Sequence, residues 1–164
     1  MRLGIDGECR CEDVLSNTLK ENHFDVVYSL GVIEHYENPR PLIDAHLRLT
    51  KPGGLVLIAI PNYTGIHRRL QSYFDPNNLD IHNLELMNSD ALRSHIPGEG
   101  LATAKIFPFG RFDPGLVSFS NRFSPLVSRA IFHSLTLFSH LVPIKIYPWN
   151  SMWVIFLEKA QSTR

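Results

Sequence analysis

The sequence has little cysteine and no excess of charge of either sign. Cys9 and Cys11 are its two cysteines among 164 residues, and 16 basic residues balance 16 acidic ones. Cysteines one residue apart close only a strained disulfide, and no further ligands are spaced around them for a zinc site. Balanced charge gives no general attraction to nucleic acid, and the N-terminus lacks a secretory pattern. We therefore expect reduced thiols, no nucleic-acid partner and a cytoplasmic protein.

Long hydrophobic runs are also absent, and the apolar residues come in short blocks. Phe24 to Leu30 and Leu55 to Ile60 are two such blocks, typical of strands buried on both faces of a parallel sheet. Between them, Asn38-Pro39 predicts a helix start, and Lys51 to Gly54 predicts its end. The apolar face of this helix comprises Leu42, Ala45, His46 and Leu49. Two buried strands joined by a helix predict a right-handed βαβ unit.

Three motif pieces within this unit stand in a familiar order. They are Phe24-Asp25-Val26-Val27, Leu30-Gly31-Val32-Ile33-Glu34-His35 and Leu49-Thr50-Lys51-Pro52-Gly53-Gly54-Leu55. The set resembles the central strands of Rossmann-like (class I) S-adenosylmethionine (SAM)-dependent methyltransferases, and most closely the small-molecule branch that includes ubiquinone-pathway O-methyltransferases. The resemblance implies an α/β fold: a partial Rossmann-like sheet with parallel central strands, an antiparallel C-terminal strand pair and flanking helices. Leu101 to Phe109 and Ser151 to Lys159 fit that strand pair.

The front of such a domain is not recognisable in the sequence. The family opens with a strand, a glycine-rich turn and a second strand that ends in an acidic residue. Gly4 to Gly7 has no strand before it and is interpreted as a loop remnant, while Glu8 to Cys11 fits a short third strand. We expect residues 1–164 to be a single, N-terminally truncated methyltransferase domain, or one that another polypeptide completes. SAM binding in the family's usual mode would then require the missing strands.

Two segments depart from the βαβ pattern and are expected to be inserts. Residues 62–100 resemble the substrate-side insert of the same branch, with a helix over Ile66 to Phe74, a loop at Asp75 to Asn78 and a capped helix over Ala91 to Pro97. Residues 111–149 form a variable helical insert. The resemblance implies that residues 62–100 face the acceptor.

The second insert contains an amphipathic helix, predicted over Ser124 to Val142. Arg129, His133, Thr136 and His140 share one face, and the remainder is apolar. The helix is too short and too polar on one face to span a bilayer. A lid over the substrate pocket is one interpretation. The alternative is a contact with a membrane surface or with a second copy of the chain, which would make the protein membrane-peripheral.

The resemblance also implies positions for the cofactor. The turn after Ser29 and Leu30 lines the methionine part of SAM in the family, and an acidic position before it flanks the adenine. Carried over to this sequence, the cofactor-binding residues are Asp13, Val14, Ser29, Leu30, Gly31 and Glu34.

Catalytic and substrate residues are harder to predict, because methyl transfer from an activated donor requires mainly positioning and, for some acceptors, a base. His35 is the candidate general base and His82 a weaker one. Asn62, Tyr63 and Phe74 are candidates for the acceptor pocket. Alternatively, Glu34 caps local amides and His35 packs on the following helix. A Glu-His pair could also hold a divalent metal, as in some relatives, but the sequence leads us to assign no metal.

Together these features predict a SAM-dependent methyltransferase domain that acts on a small-molecule or lipid-like acceptor. The alternative is a non-catalytic methyltransferase-like module that binds a partner chain or a membrane surface. A nicotinamide-dependent enzyme has less support, because the sequence contains no Tyr-x-x-x-Lys pair and no dinucleotide glycine motif.

Overall fold

A four-stranded sheet organises the chain. The computed structural model describes residues 7–141 and 149–161. Its strands are β1 (Phe24–Leu30), β2 (Thr50–Pro61), β3 (Leu101–Phe109) and β4 (Met152–Lys159), in the order β1-β2-β4-β3. β1 and β2 pair in parallel, and β4 is antiparallel to both β2 and β3. The predicted α/β fold class, including its antiparallel C-terminal pair, is confirmed.

Helices connect the strands and cover one side of the sheet. They are α1 (Arg40–Leu49), α2 (Gly65–Phe74), α3 (Pro76–Asp80), α4 (Ser89–Ser94) and α5 (Pro125–Leu141). Short 3-10 turns lie at Ile33–His35, Leu84–Leu86, Pro114–Leu116 and Phe119–Asn121. The predicted apolar face of α1 is buried as expected. Within the described ranges, no helix combines the length and apolarity needed to cross a membrane.

One face of the sheet carries the core. Across the strands, Val56 lies opposite Leu157, and Ile58 lies opposite Ile155. All four side chains are buried, and they pack with Leu42 and other residues of the helices in one hydrophobic cluster. β2 is central in this layer because it is hydrogen-bonded to β1 on one side and to β4 on the other.

The opposite face of the sheet is open. Tyr28 and Leu30 of β1 are 68% and 60% exposed, and Phe109 of β3 is 61% exposed. The prediction that β1 is buried on both faces is therefore wrong for the described residues. The apolar run specifies a strand, but alternate side chains of a strand point to opposite faces and only one face is covered.

Several predicted boundaries also need correction. Glu8 to Cys11 has no regular secondary structure. Lys51 to Gly54 belongs to β2, where the register shifts between the Phe24–Thr50 and Val26–Leu55 pairs. A Cβ on Gly54 would lie 2.9 Å from the Asp25 carbonyl oxygen, so glycine lets the bulged strand approach β1.

The helical boundaries in the first insert differ as well. The loop predicted at Asp75 to Asn78 is instead the start of α3, because Asp75 accepts a hydrogen bond from the backbone N–H of Asn78 and caps the helix. α4 is capped by Asn88, and it begins at Ser89 rather than Ala91 and ends at Ser94 rather than Pro97. α5 begins after Ser124 as expected, and its last predicted residue, Val142, lies outside the described residues.

Two buried polar side chains fix α2 to the segment after β3. The Gln71 amide donates to Ser118 Oγ (3.1 Å) and accepts from the Ser118 backbone N–H (2.9 Å). His67 Nε2 accepts from the backbone N–H of Asp113 (3.2 Å), and its ring stacks on Phe112. His67 is fully buried, and burial lowers its pKa to about 4. The imidazole is therefore neutral in the folded protein at pH 5 and above.

Core packing on the covered face predicts a large stability difference between two chemically identical substitutions. Leu157 is fully buried on β4, whereas Leu126 on α5 is 79% exposed. Leu157→Ala should lower the free energy of unfolding by about 2–5 kcal/mol, because it leaves a cavity in the core. Leu126→Ala should change it by less than ~0.5 kcal/mol. Urea unfolding monitored by circular dichroism measures both values. Equal losses of unfolding free energy in the two variants would contradict the assignment of the core face.

The buried His67 predicts a pH-dependent loss of stability. Its pKa falls from 6.5 to about 4 on folding. Between these two pH values the imidazole is mostly protonated in the unfolded chain and mostly neutral in the folded chain. Stability due to this group is present above pH 6.5 and is lost as the pH falls toward 4. Between pH 7 and pH 5, the free energy of unfolding of the wild type should fall by about 2 kcal/mol more than that of His67→Gln, whose side chain cannot ionise. If the free energy of unfolding fell equally in both proteins between pH 7 and pH 5, His67 would not be a buried neutral imidazole.

Candidate functional site

The carboxyl end of β1 turns sharply at Gly31. This residue has φ +67°, and its N–H still donates to the Ala59 carbonyl of β2 (2.9 Å). A Cβ here would lie 3.5 Å from Glu34 Oε1, which is an ordinary contact. Glycine is therefore favoured by the left-handed backbone rather than by lack of space. The turn leads directly into the 3-10 segment Ile33–His35.

Two polar atoms next to this turn lack partners. Among the described residues, Ser29 Oγ and Glu34 Oε2 are buried and accept or donate no hydrogen bond. Glu34 is only 1% exposed, and burial raises the pKa of its carboxyl group. A buried polar atom without a partner is costly and marks a place where a ligand can complete the hydrogen bonding. Contact of Ser29, Leu30, Gly31 and Glu34 with SAM stays a prediction.

The structure brings His35 and His82 together from distant parts of the chain. Their ring centroids are 4.6 Å apart. His35 Nδ1 bonds the Ile81 carbonyl (2.9 Å), and His82 Nδ1 bonds the Asn78 carbonyl. Because a carbonyl oxygen only accepts, each Nδ1 carries the proton and each Nε2 keeps its lone pair. His35 Nε2 lies 4.0 Å from Glu34 Oε1, so the two candidate bases and the carboxylate form one cluster.

Tyr63 adjoins the same cluster. Its ring meets the His82 ring edge-on at 4.9 Å, and its backbone N–H donates to Met87 Sδ (3.1 Å). Burial, followed by the nearby charge of Glu34, raises the pKa of the phenol. The phenol is therefore held as a neutral hydrogen-bonding group near neutral pH.

Asn62 is fully buried and already engaged. Its amide donates to the Asn150 carbonyl (3.0 Å) and accepts from Thr64 Oγ1 (2.6 Å), while its backbone N–H donates to Ser151. These bonds join the end of β2 to the start of β4. Contact of Asn62 with a substrate stays a prediction.

Asp13 and Val14 lie in a turn before β1. The Asp13 carboxylate accepts from the Leu15 backbone N–H (2.9 Å), and Val14 is half-buried against the hydrophobic cluster. Within residues 7–141 and 149–161, no hydrogen bond, ion pair or ring contact joins either residue to Gly31. The placement of the adenine beside them stays a prediction.

Phe74 lines a separate, apolar cavity of about 440 Å³ between α2 and α5. Its ring meets Phe119 at 4.9 Å. Ile66 and Leu70 of α2 line the cavity as well, whereas Tyr73 is 60% exposed. Additional lining residues, which the sequence did not assign to a site, include Arg111, Phe112, Leu135 and Ser139. Only the clustering of aromatic residues around 111–123 hinted at them.

A second cavity, of about 370 Å³, opens onto the two histidines. Its lining includes three carboxylate residues, Glu37, Asp80 and Glu85, together with His35 and His82. Carboxylates at a cavity lining attract cations and oppose the entry of anions. The polar cavity and the apolar cavity thus differ in chemistry as well as in position.

Comparison with known proteins shows similarity to methyltransferases. A sequence family described as a methyltransferase domain matches residues 2–58. The mitochondrial ubiquinone biosynthesis O-methyltransferase of Dictyostelium discoideum is 33% identical in an alignment of length 97, and the match covers 42% of this chain and 30% of that protein. The chain therefore spans less than a third of the length of this curated relative in that alignment.

Two solved structures share the fold at low sequence identity. A SAM-dependent methyltransferase from Archaeoglobus fulgidus superposes with a TM-score of 0.55 at 19% identity, covering 90% of this chain and 66% of that one. Phosphoethanolamine N-methyltransferase 2 of Haemonchus contortus, solved with SAM, gives 0.53 at 18% identity over 92% of this chain and 36% of that one. The chain is therefore similar to methyltransferase domains over part of its length, and it shares the fold of SAM-dependent methyltransferases.

Proposed function

We propose that this chain takes part in methyl transfer from SAM to a small-molecule or lipid-like acceptor. One observation carries the proposal: the parallel β1-α1-β2 unit ends in a left-handed glycine turn beside two buried, unpartnered polar atoms. Open α/β sheets place their ligands at the carboxyl ends of parallel strands. The similarity to a methyltransferase domain and to a ubiquinone biosynthesis O-methyltransferase supports SAM as the cofactor.

The residues at the end of β1 would hold the cofactor. When bound, SAM supplies an activated methyl group on a sulfonium ion. Ser29 Oγ is the free hydrogen-bonding group for the amino-acid portion, and the Gly31 backbone leaves room for close approach. Leu30, with 60% of its surface exposed, gives an apolar contact. Glu34 lies directly behind the turn and favours a cationic ligand in front of it.

His35 is the better placed of the two candidate bases. Its side chain is 39% exposed, whereas His82 is half-buried and burial lowers the pKa of its imidazole. The Ile81 carbonyl holds the Nδ1 proton of His35, so Nε2 can accept a proton from an acceptor hydroxyl. Tyr63, held neutral beside His82, can orient the acceptor by a hydrogen bond.

The apolar cavity supports a lipid-like acceptor. Apart from Arg111 and Ser139, its lining is hydrophobic or aromatic, and Phe74 lies within it. Such a lining buries a hydrocarbon chain favourably, while a single guanidinium can pair with one anionic group. An acceptor with an apolar body therefore suits the insert side of the sheet better than a small polar metabolite.

Backbone amide NMR titration with S-adenosylhomocysteine, the methyl-transfer product of SAM, tests the proposed cofactor site. The described residues do not include the glycine-rich turn with which the family opens, so low affinity is expected. Amide shifts report binding even when it is weak. The amides of Ser29, Leu30 and Gly31 should shift progressively with ligand. Gly31→Ala should abolish these shifts or weaken the affinity about five- to thirtyfold, since an alanine in the left-handed turn costs about 1–2 kcal/mol.

A matched control separates local strain from loss of the site. Gly100 has φ +78°, and a Cβ at this position would meet no other atom within 4 Å, so Gly100→Ala carries the same backbone strain away from β1. This variant should bind the ligand as the wild type does. Absence of any shift at residues 29–31 in the wild type would refute the proposed cofactor site.

A specific observation also favours the second candidate function, a module that binds a membrane surface. On α5, Leu126, Leu137 and Leu141 are 79%, 62% and 71% exposed. At 100° per residue, these leucines lie opposite the buried Ser139. Arg129 and two histidines flank them, and the helix contains no acidic residue. An exposed leucine stripe flanked by basic groups suits the surface of an anionic bilayer.

Liposome flotation tests this second function. The wild type should float with vesicles that contain phosphatidylserine and float less with purely phosphatidylcholine vesicles, because both apolar burial and charge contribute. Leu126→Ser combined with Leu137→Ser should reduce the floated fraction several-fold. Ile81→Ser, an equally polar change at an exposed site away from α5, is the control. Wild-type protein that stays unbound to both vesicles, or that instead dimerises with concentration, would exclude the membrane contact.

A further inference from the structure

Two cavities adjoin beside α5, and they differ in chemistry. The apolar cavity of about 440 Å³ lies between α2 and α5. A more polar cavity of about 310 Å³ lies between α5 and the segment that follows β3. Arg111, Phe112 and Ser139 line both cavities, so the two spaces share a wall. Together they offer a ligand one apolar end and one polar end.

The apolar end suits a hydrocarbon chain. Its volume lies within the range of about 300–1,000 Å³ that is usual for small-molecule sites. Phe112 and Trp149 form part of its wall, and their rings meet edge-on at 6.3 Å. Among the described lining residues, all except Arg111 and Ser139 are hydrophobic or aromatic. Such a wall favours the burial of methylene groups, so the polar end must determine the rest of the ligand.

The polar end presents an arginine without a counter-ion. Arg111 is half-buried, and within residues 7–141 and 149–161 it forms no ion pair. Its hydrogen bond in these ranges is a long one, from Nη1 to the His140 carbonyl (3.5 Å). A guanidinium presents a planar fork of N–H donors whose geometry matches the two oxygens of a carboxylate. A carboxylate is therefore the head group that fits Arg111 best.

A neighbouring carboxylate restricts the charge of that head group. Asp113 also lines the polar cavity, and its side chain accepts from the backbone N–H of Gly115 (2.8 Å) rather than from Arg111. Its negative charge opposes a second negative charge on a ligand. The Ser151 hydroxyl lines the same cavity and can donate to a head-group oxygen. The polar cavity therefore favours a monoanion over a dianion.

We propose that the two cavities together bind one aliphatic monocarboxylate of the fatty-acid type, with its chain in the apolar cavity and its carboxylate at Arg111. The inference deepens the proposed function, on which it rests for the identification of this ligand as the acceptor. Binding of the ligand does not require the cofactor. Arg111 then selects the head group, and the volume between α2 and α5 limits the length of the chain.

Isothermal titration calorimetry with decanoate, below its micellar concentration and without cofactor, tests the site. The wild type should bind one decanoate per chain with a dissociation constant of about 100 μM or tighter. Decan-1-ol, which lacks the charge, should bind at least about tenfold more weakly. Decyl phosphate, mostly a dianion at pH 8, should also bind more weakly than decanoate because of Asp113. Each methylene added between octanoate and decanoate should raise the affinity up to about fourfold.

Three variants separate the head group from the chain. Arg111→Gln should weaken decanoate at least about tenfold and leave decan-1-ol within about twofold, because the chain cavity remains. Arg93→Gln, the same change at an exposed position of α4 outside both cavities, is the matched control and should alter neither affinity. Leu135→Trp fills part of the apolar cavity and should weaken decanoate more than octanoate. Circular dichroism establishes that each variant is folded.

Equal affinities of the wild type for decanoate and decan-1-ol would overturn the inference. An equal loss of both ligands in folded Arg111→Gln, or several decanoates bound per chain, would overturn it as well. Amide shifts with S-adenosylhomocysteine but no decanoate binding would overturn this inference alone. Decanoate binding that depends on Arg111, without those amide shifts, would support the carboxylate site and refute the cofactor site.

Discussion

The parallel pairing of β1 with β2 is the constraint on which the rest of the structure depends. It joins Val27 to Val56 and Ser29 to Ile58, so both strands end at the same edge of the sheet. At that edge, Gly31 follows β1 and Asn62 follows β2. Because the pairing is parallel, α1 must cross over between the strands, and it covers the core face as it does so. Fold and candidate site therefore originate from one pair of strands.

The site follows from how the chain leaves that edge. After β1, the left-handed turn at Gly31 places Glu34 behind the strand end and His35 at the surface. After β2, the insert passes through α2 and α3 and returns His82 to within ring contact of His35. The backbone N–H of Asn83 donates to the Glu34 carbonyl and fixes this return. The cluster thus combines the end of a strand with an insert that comes much later in the chain, an arrangement common in sites built on a stable scaffold.

The sequence was sufficient to predict the elements that depend on local pattern. Apolar blocks specified β1 and β3, and the spacing in α1 specified its buried face. It was not sufficient where long-range packing decides. The extension of β2 through Lys51 to Gly54 depends on a bulge against β1. Which face of the sheet is exposed depends on where the helices pack. The contact of His35 with His82 joins residues that are far apart in the chain, and no spacing rule predicts it.

The direct test of the account is the direction of the β1–β2 pairing in solution. Nuclear Overhauser contacts between backbone protons should link Val27 with Val56 and Ser29 with Ile58, so that partners advance in the same chain direction. The account predicts this parallel series together with an antiparallel series between Ile58 and Ile155. An antiparallel series between β1 and β2, or the absence of contacts between them, would contradict the fold and remove the basis for the site.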